Sequence, residues 1–279
     1  MTTTVQPADV MVTCNGMNFH YLDWGNEGAS VMLLLHGLRG HSHAWDDVAA
    51  RFCGNYRVLA LDQRGRGETD WAPRGDYSTD AFVADLEEFC YTLALEKFVL
   101  VGHSMGGRNS IAFAGRNPDM LEKLVIVDIG PDIDPIGSAR ITRELVEIPA
   151  EFDSFDQALQ HVMGQNRFAS EAVMRRRLTY QTRELPGGRI GWRYDPEIRE
   201  QRRNGTSATP PDLWAPLSRV TCPTLIVRGS ETDTLSLDVA ERMVQTLADG
   251  KLVHVDDAAH MVFEDNPDGF NAALADFLG

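Results

Sequence analysis

The sequence predicts an α/β protein: a mostly parallel sheet of eight strands, helices on both faces, and an inserted helical segment. Three observations lead there. Short apolar runs alternate with amphipathic stretches up to about residue 130. That rhythm stops at Gly130-Pro131 and resumes after Pro216. The apolar run Phe98-Val-Leu-Val101 leads straight into Gly102-His-Ser-Met-Gly106 and then a stretch able to form a helix. Strands that alternate with helices imply parallel pairing, because parallel neighbours need a crossover between them.

Taken in order, Val10–Cys14 and Met17–Asp23 flank Asn15-Gly16, a pair suited to the positive φ of a tight hairpin turn. Val31-Met-Leu-Leu-Leu35 is continuously apolar, as a strand covered on both faces should be. His41–Phe52 reads as a helix, and Tyr56–Leu61 as the next strand, ending at Asp62-Gln-Arg-Gly65. Thr79–Leu95 places Phe82, Leu86, Phe89 and Leu93 on one helical stripe. Strand 98–101, helix 105–115 and strand Leu124–Val127 follow.

From 132 to 216 there is no strongly apolar strand, and helices are expected at 138–147, 154–163 and 170–179. Prolines 149, 186, 196, 210 and 211 punctuate this stretch. The chain therefore divides into a core of residues 1–131 and 217–279 and a helical cap of 132–216. Strand Thr224–Val227, helix Leu237–Leu247, strand Lys251–Val255 and helix Pro267–Leu278 complete the core.

Composition narrows the function classes. The chain has 279 residues and a net charge of −15, which argues against nucleic-acid or anionic-membrane binding and leaves a small molecule as the expected partner. Cys14, Cys53, Cys90 and Cys222 form no C-x-x-C pair, so neither a zinc site nor a redox motif is expected. No metal or cofactor is called for. Met1–Pro7 lacks a basic and an apolar region, no run approaches a membrane span, and a cytoplasmic location is expected. A monomer or homodimer is expected.

Gly102-His-Ser-Met-Gly106 matches the G-x-S-x-G turn that exposes a serine between a strand and a helix. A serine hydroxyl is a weak nucleophile and needs a base, which in turn needs a group to orient it. In an open parallel sheet such residues gather at the carboxyl ends of strands. His260, after the last strand, is the candidate base for Ser104. Two aspartates qualify as the orienting acid: Asp128, directly after Val125-Ile-Val127, and Asp233, in the loop after the next strand. Two backbone N–H groups must face the developing oxyanion. Met105, following the nucleophile, supplies one, and Leu38 in His36-Gly-Leu-Arg-Gly40 supplies the other.

These motifs, running from His36-Gly37 to His260 in the order Ser, Asp, His, resemble the α/β-hydrolase fold family. Residues 102–110 and Arg228-Gly-Ser230 are similar to the 2-(acetamidomethylene)succinate hydrolases, and Val255-Asp-Asp-Ala-Ala-His-Met261 with Asp268-Gly-Phe270 is similar to the N-formylmaleamate deformylases. In those enzymes, and in small esterases with a Val-Asp-Ile-x-Pro stretch, the acid follows the sixth strand. Val127-Asp128-Ile-Gly-Pro131 fits, so the resemblance favours Asp128 over Asp233. It implies a cofactor-independent serine hydrolase of a small carboxylic ester. The alternative is an amide or acyl-enamine hydrolase acting on a carboxylate-bearing substrate, followed by a lactonase or C–C hydrolase. Arg143 and Arg167, among the many cap arginines, are the candidates for clamping a substrate carboxylate.

Overall fold

The computed structural model describes residues 5–279; Met1–Thr4, part of the N-terminus read above, lie outside them. In chain order the first half contains β1 (Ala8–Cys14), β2 (Met17–Asp23), β3 (Val31–Leu35), α1 (Asp46–Phe52), β4 (Arg57–Leu61), α2 (Thr79–Thr92), β5 (Phe98–His103), α3 (Met105–Arg116) and β6 (Leu121–Val127). Next come α4 (Pro135–Glu147), β7 (Glu151–Phe152), α5 (Phe155–Met163), α6 (Glu171–Gln181), β8 (Thr182–Glu184), β9 (Ile190–Trp192), α7 (Pro196–Asn204) and α8 (Trp214–Leu217). The chain ends with β10 (Thr224–Gly229), α9 (Leu237–Thr246), β11 (Gly250–Val255), α10 (Val262–Asp265) and α11 (Pro267–Leu278).

The eight-stranded sheet has the order β1-β2-β4-β3-β5-β6-β10-β11. Only β2 runs against the rest, pairing antiparallel with β1 and β4, so the sheet is mostly parallel as expected. Alternate residues of each strand enter opposite core layers. Leu33 and Leu35 join one apolar cluster while Met32 and Leu34 join the other, all of them buried. Double coverage explains why β3 and β5 are apolar throughout.

The stretch 132–216 differs from a purely helical insertion. It carries α4, α5, α6 and α7, and also a three-stranded sheet of order β7-β9-β8. The hairpin β8–β9 closes through Leu185 N–H donating to Arg189 O at 2.7 Å. This stretch builds its own core from Leu145, Phe152, Leu159, Val162, Leu178 and Trp192. His41–Phe52 is likewise not one helix: a 3₁₀ turn over Ser42–Trp45 precedes α1. Among the described residues no helix is long and apolar enough to cross a membrane.

Candidate active site

Four loops that follow β3, β5, β6 and β11 meet at the carboxyl ends of the parallel strands. The loop after β5 is a single residue. Ser104 adopts φ 53° and ψ −117°, a conformation that L residues rarely take and that only surrounding structure can hold. Its N–H donates to Val127 O at 3.1 Å, which anchors the turn to β6. A Cβ on Gly106 would collide with the Leu35 carbonyl, and one on Gly102 with Ser110 Oγ and the Gly106 carbonyl. The two glycines are therefore needed for β3, β5 and α3 to approach so closely.

Ser104 Oγ lies 2.9 Å from His260 Nε2, and His260 Nδ1 lies 2.9 Å from Asp128 Oδ2. The carboxylate accepts the Nδ1–H, which leaves the Nε2 lone pair facing the serine hydroxyl. Asp128 is fully buried, so its oxygens need partners. They accept from Gly229 N–H at 3.1 Å and from the Thr232 hydroxyl at 2.6 Å, besides His260. These bonds hold the carboxylate in one orientation. Asp233 is not part of this relay. Arg140 binds it through two hydrogen bonds of 2.7 Å, and that pairing holds its carboxyl below the usual range.

His103 supports the base. Its Nε2–H donates to the His260 carbonyl at 2.8 Å. Burial, reinforced by the neighbouring His260, pushes its pKa well below the usual value, so this imidazole stays neutral. The loop after β3 is tied down in a comparable way. His36 Nδ1–H donates to Gly37 O at 2.7 Å, and its Nε2 accepts from Gln63 N–H at 3.0 Å. Burial lowers the His36 pKa to about 4, which keeps it neutral and able to accept. Arg66 Nε donates to Leu38 O at 3.1 Å, and Gln181 Nε2 to Arg39 O at 2.7 Å. Met105 is the first residue of α3, so its N–H has no acceptor one turn earlier within the helix. His36, His103 and Thr232 went without assigned roles in the sequence, since nothing in their spacing marks what they hold.

Two cavities meet at Ser104 and Leu38. The larger, about 440 Å³, runs over His260 and beneath α4, α6 and the α5–α6 connection, where Arg140, Phe168, Met174 and Arg177 line it. The smaller, about 180 Å³, lies between α3, α4, α7 and residues 207–210. Arg143 lines neither cavity and is exposed on the outer face of α4, which corrects the expectation that it clamps substrate. The residue was chosen by position along a helix, and the helix turns it outward. Arg167 does line the larger cavity, with a side chain 72% exposed and paired to Glu231 at 2.8 Å.

A sharp strand–serine–helix turn, with its histidine and aspartate at later strand ends of this sheet, defines a class of hydrolase. The alpha/beta hydrolase family model matches residues 32–273. Over 271 residues the chain is 32% identical to N-formylmaleamate deformylase of Pseudomonas putida, covering 96% of this chain and 95% of that one. It is 30% identical over 257 residues to the 3-hydroxybutyrate-oligomer hydrolase of Cupriavidus necator, covering 86% of each. The crystal structure of E-2-(acetamidomethylene)succinate hydrolase shares the fold, with a TM-score of 0.88 and 24% identity over 98% of this chain and 99% of that one. The chain belongs to the alpha/beta hydrolase family and is a hydrolase.

Proposed function

We propose that the protein hydrolyses a small carboxylic ester through a covalent acyl-enzyme on Ser104. The hydrogen-bonded series from Ser104 through His260 to Asp128, opening on a cavity, carries this reading. Ser104 Oγ attacks the ester carbonyl carbon while His260 Nε2 takes its proton. The N–H groups of Leu38 and Met105 receive the negative oxygen, and the dipole of α3 adds to the stabilisation. The tetrahedral intermediate collapses: the C–O bond to the alcohol breaks, and His260 returns the proton to the departing oxygen. Water, deprotonated by His260, then attacks the acyl-enzyme and releases the acid and Ser104. Asp128 stays ionised and holds the imidazolium. Residues 132–216 act as a cap that roofs the cavity and sets substrate shape.

The same machinery on an amide is the second reading, favoured by the 32% identity to a deformylase over nearly the whole chain. It differs only in the leaving nitrogen, which must be protonated before it departs.

Intact mass after exposure to a fluorophosphonate probe tests the nucleophile. One adduct on the wild type and none on Ser104→Ala is expected. An adduct that persists in Ser104→Ala overturns the assignment, as does a wild type that neither labels nor cleaves any member of an ester and amide panel.

A further inference from the structure

The two cavities that meet at Ser104 differ in charge. Around the larger one each arginine has a carboxylate. Arg39 pairs with Glu144 at 3.1 Å, Arg140 with Asp233 at 2.7 Å, Arg167 with Glu231 at 2.8 Å and Arg177 with Glu264 at 3.3 Å. Among the described residues, the smaller cavity is lined by Arg66, Arg108 and Arg202 and by no aspartate or glutamate.

Arg66 is 1% exposed. Its Nε and Nη1 donate to the carbonyls of Leu38 and Arg64, and its guanidinium lies over the rings of Tyr77 and Phe82 at 5.0 and 5.2 Å. No carboxylate pairs with it among the described residues. Asp195, whose charge it feels, already accepts the Tyr77 hydroxyl at 2.5 Å and caps α7 through Glu197 N–H at 2.9 Å. Arg108 uses Nη1 on the Gly130 and Pro131 carbonyls, each at 3.0 Å, and likewise makes no ion pair among the described residues. Burial pulls the Arg66 guanidinium down to about 10, and Arg108 in the same direction. Asp195 and Asp132 act on these cations only from a distance, without an ion pair among the described residues. A buried Arg66 and a half-buried Arg108 beside the nucleophile therefore favour an incoming anion. The remaining wall includes Ile129, Ile133, Leu145 and Ile198, which suit a short aliphatic chain.

We infer that the smaller cavity is a carboxylate subsite, in which Arg66 and Arg108 receive the free carboxylate of an aliphatic substrate whose ester carbonyl lies at Ser104. This rests on the Ser104 reading for the reaction but not for the binding. The substrate class becomes a half-ester of a short dicarboxylic acid, or an ester otherwise ending in a carboxylate. Such recognition needs donors rather than a point charge, and guanidinium groups give paired donors to a carboxylate.

Turnover of mono-4-nitrophenyl glutarate against 4-nitrophenyl valerate tests it, since the two differ mainly in the terminal carboxylate. The wild type should prefer the glutarate half-ester in kcat/KM. Arg66→Gln and Arg108→Gln should each lower that ratio by about 10- to 100-fold, the worth of a lost charged hydrogen bond. Arg66→Gln also loosens the Leu38 loop, so it slows both substrates, and the ratio is the readout. Arg143→Gln, outside both cavities, should leave the ratio where it was. No wild-type preference, or a ratio unmoved in both cavity variants, overturns the subsite. Calorimetry of glutarate binding to Ser104→Ala separates this from the reaction. Binding that Arg108→Gln weakens tenfold or more supports the subsite even if the ester reading fails. Absent binding, or binding that Arg108→Gln leaves unchanged, overturns it.

Discussion

Asp128 and Asp233 both follow a strand of the same sheet, and a residue-by-residue reading separates them only through resemblance. Their partners separate them physically. Asp128 is buried with its oxygens turned to His260, Thr232 and Gly229, whereas Asp233 is spent on Arg140. An asparagine at 128 keeps the shape and removes the charge that steadies an imidazolium. Asp128→Asn should lower kcat by about 10³- to 10⁴-fold. Asp233→Asn, which breaks a partly exposed ion pair, should change kcat by less than about tenfold. Steady-state kinetics on one ester settles the ranking, and the reverse order would place the acid at 233.

At the scale of elements, the loop that follows β4 is tied to α2 by a buried ion pair. Arg64 Nε and Nη2 reach Asp85 Oδ2 and Oδ1 at 2.5 and 2.7 Å, while Nη1 donates to Asp76 O at 2.8 Å. Removing one partner strands the other charge in the core. Arg64→Met should therefore cost about 3–5 kcal/mol of unfolding free energy in urea melts. A loss below about 1 kcal/mol would mean that water reaches Asp85 and the pair matters little. The strands missed from the sequence have a common cause. Strands β7, β8 and β9 are two or three residues long, too short for any period to register. The turn residues Pro186-Gly-Gly188 between β8 and β9 were the one usable signal.

Across the whole molecule, several histidines are folded neutral into the base of the site. Burial takes His36 to about 4, His41 to about 3 and His103 well below its usual value. In the unfolded chain each binds a proton near pH 6.5. Below that pH the unfolded state therefore holds more protons than the folded one, and these groups cost stability as pH falls from 6.5 toward their folded values. His41 isolates the effect, because both of its ring nitrogens are buried without a hydrogen-bond partner among the described residues. His41→Leu should make the fall in urea stability between pH 6 and 4.5 shallower, approaching one proton or about 1.4 kcal/mol per pH unit. Equal slopes for both proteins would show that His41 is protonated in the fold.

The order of strands and helices in the eight-stranded core, the serine turn and the histidine after the last strand were all legible in the sequence. Each is written locally: apolar continuity marks a doubly covered strand, and Gly102 and Gly106 mark a turn where backbones nearly touch. Resemblance favoured Asp128, but the partners that hold it, and which arginines face the substrate space, were decided only by the tertiary structure. Arg66 and Arg143 are the same residue type on similarly polar segments, yet one is enclosed beside Ser104 and the other lies in solvent. That difference depends on how α4, α7 and the loop after β4 pack together, and a pairing between distant segments leaves no periodic trace along the chain.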